Sequence, residues 1–175
     1  SEMIKEYFGD GKSFGANIEY IDEHKRMGTA GSLSFIKDHL LEDFFIMNGD
    51  LLTNINLEHL VEFHNAVNSD ATMCVREYDF QVPYGVVNVK NEEILSIEEK
   101  PIHKFFVNAG IYMLSPSVLK YIPEDSFFDM PTLFTNLIQE KKKVLNFPVK
   151  EYWLDIGGIE QYNKANDEYS NNFNN

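Results

Sequence analysis

The chain has 175 residues, 43% of them hydrophobic and 14% aromatic, which suits one core of ordinary size and argues against disorder. Its formal net charge is −13, and the lone basic cluster, Lys141 to Lys143, sits near the end of a predicted helix, so nucleic acid is not an expected partner. No apolar run reaches membrane-span length and "SEMIKEYFGDGK" lacks signal-peptide features, so the expectation is a soluble, cytoplasmic protein that contacts no membrane.

In chain order, "NIEYIDE" at 17–23 alternates as a strand, and Gly28 to Gly31 open a predicted helix with Leu33, Ile36 and Leu40 on one face. "FFIM" at 44–47 reads as a buried strand that ends on Asn48, Gly49 and Asp50. "LEHLVEFHNAV" is helical, with Asn56 placed to cap it and with Leu57, Leu60, Val61 and His64 at helical spacing. His64 on that apolar face reads as a packed core residue.

"ATMCVRE" (71–77), "YGVVNVK" (84–90), "ILSIEEK" (94–100) and "FVNAGIYML" (106–114) read as strands, the middle pair joined through "VKNEEI" as a hairpin. Cys74 is the only cysteine, which excludes an internal disulfide and a cysteine-rich zinc site, and it reads as a buried structural thiol. "SPSVLKYI" and "PTLFTNLIQEKKK" read as helices with Pro in the first turn, "KVLNFPV" as a short strand, 158–170 as a last helix and "SNNFNN" as a frayed end. The pattern predicts an α/β layered sheet with an antiparallel insertion, one domain over 1–175, with no repeat and no linker.

Ligands of open α/β sheets collect beyond the carboxyl ends of strands, which is where Asn48, Gly49 and Asp50 fall. Gly49 would let a ligand approach the backbone and Asp50 would offer oxygen to a hard cation such as Mg²⁺, although Asn-Gly-Asp is also ordinary turn chemistry. In "EYWLDIGG", Asp155 likewise follows an apolar run and precedes glycines. It is either a second carboxylate for one Mg²⁺ or a cap of the final helix. "GTAG" at 28–31 offers helix-entry N–H groups to an anion or a base edge, or is a turn capped by Thr29. "VPYGVV" and "EEKP" add a Tyr-Gly strand entry and an acid-base pair before proline, with Lys100 readable as a solvated charge.

Taken in order and at these intervals, "GTAGSL", "FFIMNGDLL", "PYGVV", "EEKP", "VNAGIYML" and "EYWLDIGG" resemble the sugar-phosphate nucleotidyltransferases, the nucleotide-sugar pyrophosphorylases, over about residues 4–166. The resemblance implies a three-layer, Rossmann-like nucleotidyltransferase fold with a mixed sheet. It implies Gly28, Thr29, Ala30 and Gly31 against the nucleotide base, with Asn48 and Gly49 also on the nucleotide. Asp50 and Asp155 would hold Mg²⁺ between nucleotide and sugar phosphates. Tyr84 and Gly85 would line the sugar site, Glu99 and Asn108 would bond sugar hydroxyls, and Lys100 would hold the sugar phosphate. Trp153 would pack beneath Asp155. The implied reaction is attack of a sugar 1-phosphate on the α-phosphorus of a nucleoside triphosphate, giving a nucleotide sugar and pyrophosphate.

The family pattern also includes a first strand and a glycine-rich loop carrying Arg and Lys, which this sequence does not contain; the expectation is an N-terminally truncated domain with weak or no turnover alone. Two unpaired strand edges, at 17–23 and 44–48, would then favour association, including with a second copy. Two other readings fit parts of the pattern: a non-catalytic module that senses nucleotide sugars, and a glycosyltransferase, for which the expected Asp-x-Asp pair is lacking between Asn48 and Leu52.

Overall fold

The computed structural model of the protein describes residues 1–173. Helix α1 (Glu2–Phe8) is followed by β1 (Phe44–Met47), β2 (Leu51–Thr53), α2 (Leu57–Ala66), β3 (Ala71–Gln81), β4 (Gly85–Lys90) and β5 (Glu93–Glu99). Then come β6 (Ile102–Leu114), α3 (Met130–Gln139), β7 (Val144–Pro148), β8 (Trp153–Asp155) and α4 (Ile159–Phe173). The main sheet has the order β1-β6-β3-β7 and is mixed, with β6 antiparallel to β1 and β3, and β7 parallel to β3. Two ribbons stand apart from it, β2 with β8 and β4 with β5.

Strand β6 shows why the architecture has three layers. Side chains alternate across a strand, so Tyr112 and Leu114 face one way while Ala109, Ile111 and Met113 face the other. The first pair packs with Leu133, Phe134 and Leu137 of α3 and with Val118 and Leu119 of the preceding 3₁₀ turn. The second set packs with Leu60 of α2, Cys74 of β3, and the half-buried Leu51 and Trp153 of the β2–β8 ribbon. Burial pushes the Cys74 thiol up to about 12, as expected for a structural cysteine.

Local chemistry accounts for the elements that match the sequence. Asn56 accepts the His59 N–H through its side chain at 3.2 Å and caps α2. The β4–β5 hairpin turns at Asn91, which holds the left-handed backbone (φ 54°) that Asn tolerates. Helix α4 runs to Phe173, stacked on Tyr169 and edge-on to Tyr152, so the predicted fraying does not apply to 170–173, and Asn174 and Asn175 lie outside the described residues.

Three elements differ from expectation. Residues 17–23 form no strand, because no neighbouring strand meets their backbone groups, and a lone strand is not stable in water. After Gly31 the chain makes a 3₁₀ turn, Gly31–Phe35, in place of a helix; the Ser34 hydroxyl bonds back to the Gly31 carbonyl at 2.7 Å and competes with helical pairing. Leu33 and Leu40 nevertheless reach the core. The segment after Ser115 is likewise a 3₁₀ turn, Pro116–Tyr121, and not an α-helix.

Much apolar surface is uncovered. The chain exposes 12266 Å², whereas a folded monomer of 20.3 kDa exposes about 8,800 Å² by the usual scaling with mass. Helix α1 buries no residue, and Phe45 and Met47 lie exposed on β1, which pairs only with β6 among the described residues. No helix among the described residues is long and apolar enough to cross a membrane.

His64 is buried as the sequence predicts: its Nδ1 meets the Thr72 hydroxyl at 2.8 Å, and its Nε2 lies 3.4 Å from Asp43. Burial holds the imidazole below its ordinary 6.5, against the opposing pull of Asp43 and Asp70. Because the unfolded chain then takes up the proton first, this contribution to stability is complete above about pH 6.5 and is lost as pH falls below it. The urea midpoint is expected to drop between about pH 7.5 and 5.5, and His64→Gln is expected to shrink that drop.

Candidate active site

After β1 the chain turns through Asn48, Gly49 and Asp50 into β2, and β2 pairs antiparallel with β8 so that Leu51 lies opposite Asp155. The Ile156 N–H donates to the Asp50 carbonyl at 2.8 Å. Two acids remote in sequence thus lie on adjoining backbone, both exposed to solvent. Trp153 and Asp155 leave β8 on one face, shared with Leu51 and Thr53. Asp50 belongs to the turn and not to the ladder, so strand alternation does not dictate the direction of its side chain.

The turn at Asn48 is locked to β6. The Asn48 N–H donates to the Gly110 carbonyl at 2.9 Å. Gly110 has a left-handed backbone (φ +71°), and a Cβ there would sit 2.8 Å from Asn48 Nδ2 and 3.1 Å from Leu51 Cδ1, so only glycine admits this approach. The Asn108 side chain accepts the Gly110 N–H at 2.9 Å and donates to the Tyr112 hydroxyl at 2.6 Å. Its amide therefore holds the β6 backbone and keeps one N–H for anything else. The Trp153 indole donates to the Ala109 carbonyl at 2.9 Å, which clips β8 to the same stretch.

A second group forms at the mouth of the β4–β5 hairpin. Gly85 lies opposite Glu99, with the exposed Tyr84 just before it. Lys100 follows Glu99 in the left-handed region (φ 48°), and the Val82 N–H donates to the Pro101 carbonyl at 3.0 Å. "PYGVV" and "EEKP", separate in sequence, therefore share one end of a ribbon.

Residues 28–31 do something other than expected. The Thr29 N–H donates to Asp129 Oδ1 at 3.0 Å, and the Ala30 and Gly31 N–H groups donate to the Phe128 carbonyl at 2.9 and 3.0 Å. These three donors are spent inside the protein and are not free for an anion or a base. The Thr29 hydroxyl accepts the Met130 N–H at 2.9 Å, so it caps α3 and not a helix of its own. Gly28, at φ +78°, is pressed so close that a Cβ would lie 2.6 Å from Asp129 Oδ1.

Three residues that serve these clusters escaped sequence reasoning. Gly110 was embedded in a strand motif, where an isolated glycine was the available signal of close backbone approach. Arg76 interrupts the apolar run of β3, and its guanidinium donates to the Val149 and Glu151 carbonyls at 3.2 and 2.5 Å, fixing the chain that enters β8. Asp129 gave no signal, because its partner lies a hundred positions earlier.

Among the described residues no group of three or more His, Cys, Asp or Glu side chains is placed to hold a metal ion. Two carboxylates are a donor set of the kind Mg²⁺ takes, since it fills the rest of its octahedron with water and substrate oxygens.

The fold is that of known structures: HddC from Yersinia pseudotuberculosis superposes with a TM-score of 0.70 at 24% identity, over 97% of this chain and 74% of that one. The family model described as Nucleotidyl transferase matches residues 1–172, and the chain belongs to that family. Mannose-1-phosphate guanyltransferase of Schizosaccharomyces pombe is 31% identical over 92% of this chain and 46% of its own length. The Saccharomyces cerevisiae protein of the same name is 31% identical over 89% and 44%. The chain thus spans about half the length of the curated relatives it matches.

Thr29→Ala is expected to cost about 1 kcal/mol through loss of the α3 cap, whereas Thr29→Ser, which keeps the hydroxyl, should leave the urea midpoint nearly unchanged.

Proposed function

We propose that this chain carries the metal and sugar-phosphate side of a nucleotidyltransferase that joins a nucleoside monophosphate to a sugar 1-phosphate. The observation that supports this most is the pairing of β2 with β8, which runs the backbone of Asp155 beside that of the Asn48–Asp50 turn. Asp50 and Asp155 would hold Mg²⁺, and Asn48 and Gly49 would face the nucleotide phosphates. When bound, the ion neutralises charge on the phosphates of both substrates.

The chain's own residues do the positioning. Lys100, standing on the hairpin mouth with its backbone fixed in the left-handed region, meets the sugar phosphate. Glu99 accepts from sugar hydroxyls across from Gly85, Tyr84 covers the ring, and the remaining Asn108 N–H reaches a hydroxyl. None of these groups transfers a proton in this scheme, because displacement at phosphorus asks mainly for alignment and charge neutralisation. The base side is less well supplied, since the amides of Thr29, Ala30 and Gly31 are taken; contact there falls to carbonyls and to the surface of the turn. That observation favours a second reading, a module that binds a nucleotide sugar without turnover. Pyrophosphate release separates the two.

Similarity to mannose-1-phosphate guanyltransferases makes GTP and mannose 1-phosphate the first substrates to test, and GDP-mannose the first ligand. Calorimetry should show GDP-mannose binding that strengthens with Mg²⁺. Asp50→Asn and Asp155→Asn are each expected to remove the Mg²⁺ dependence, and Lys100→Ala to weaken binding about tenfold, with Mg²⁺ dependence kept. Mg²⁺-dependent binding that survives both acid substitutions would overturn the assignment.

The uncovered surface, roughly 3,500 Å² beyond that of a typical folded monomer, exceeds the roughly 1,000–2,500 Å² that each partner gives up in an obligate interface. Association, including with a second copy, is therefore part of the proposal. Light scattering should give a mass above 20.3 kDa for the isolated chain, and a strictly monomeric species at micromolar concentration would count against it.

A further inference from the structure

Strand β8 is only three residues long and, among the described residues, pairs only with β2, itself three residues, in a ribbon outside the main sheet. So short a ladder fixes little by itself. The ribbon's relation to the main sheet rests on a few tethers: the Asn48 N–H bond to Gly110, the packing of Leu51 and Trp153 on the core, the Arg76 bonds to the chain entering β8, and, from β8 itself to β6, the bond of Trp153 Nε1–H to the Ala109 carbonyl at 2.9 Å. Ala109 is fully buried and precedes Gly110, the residue that receives the Asn48 amide. Trp153 shares a strand face with Asp155, two residues on. The indole therefore ties the strand bearing one acid to the segment that locks the turn bearing the other.

We infer that Trp153 is a positioning residue for the carboxylate pair: the Ile156 N–H bond to the Asp50 carbonyl joins the two acid-bearing segments, and the indole N–H, bonded to Ala109, fixes how Asp155 is seated over the stretch of β6 that holds the Asn48–Asp50 turn. This rests on the two-carboxylate reading above. Phe in its place keeps an aromatic ring on the core and removes the donor, leaving a buried carbonyl without its partner. Partners that orient metal ligands typically matter 10–100-fold in metal affinity.

The test uses Mn²⁺ alone as the probe, with free ion followed by its EPR signal. Trp153→Phe is expected to weaken Mn²⁺ binding about tenfold, while Trp153→His, whose ring N–H can still reach the carbonyl, recovers part of the loss. A merely structural tryptophan would lower the urea midpoint in both variants and leave Mn²⁺ affinity within about twofold in any fraction that stays folded; that result overturns the inference. If Asp50→Asn and Asp155→Asn themselves leave Mn²⁺ binding unchanged, the two-carboxylate reading fails instead.

A second measurement needs no variant. Trp153 is the sole tryptophan, so the indole N–H gives a single ¹⁵N-correlated resonance. It is expected to exchange slowly with solvent and to broaden as Mn²⁺ is added. A fast-exchanging resonance, or one that Mn²⁺ leaves sharp while binding is saturated, would refute the link.

Discussion

The constraint on which the site depends is the close approach of the Asn48 turn to β6 at Gly110. A side chain there would strike the Asn48 amide and the Leu51 methyl group, so the turn could not seat and β2 could not reach β8. From that single contact follow the direction of β2, the pairing of Leu51 with Asp155, and the meeting of two acids from distant parts of the chain. The three-residue ladder contributes few hydrogen bonds of its own; its placement comes from the core beneath, where Leu51 and Trp153 pack against Ile111, Met113 and Cys74.

The two candidate clusters are built differently, and the difference suits the roles proposed for them. The acids sit where a main-sheet strand ends, over a packed layer, so their backbone is held on one side by the core. Tyr84, Gly85, Glu99 and Lys100 stand on a hairpin whose strands are exposed almost throughout. A group that aligns a cation gains from rigidity, whereas one that surrounds a sugar ring must admit and release it. The left-handed backbone at Lys100, costly for a residue with a Cβ, indicates that the hairpin end is nonetheless specified.

How much of this was legible in the sequence depended on the range of the interactions. β1, β3 to β7, α2, α3 and α4 announced themselves through periodicity, caps and proline positions, all of which are local. The acid pair was readable as two similar strand endings, although their adjacency required a ladder between residues remote in the chain. Residues 17–23 and 31–40 misled because their apolar spacing was correct while their partners were not: one lacked a neighbouring strand, and the other found a serine bond that favours a tighter turn. "GTAG" misled for the opposite reason. Its amides had a partner, the carbonyl and carboxylate at 128–129, that no local pattern reveals.

Cys74 lies in the layer directly under the β2–β8 ribbon, with its thiol held protonated by burial. A sulfur in that state is a poor nucleophile and a poor ligand for soft metals. The thiol beneath the ribbon is thus poorly disposed to thiol–disulfide exchange. The one cysteine of the chain is in this sense sealed in hydrocarbon, and the proposed site above it is left to oxygen donors.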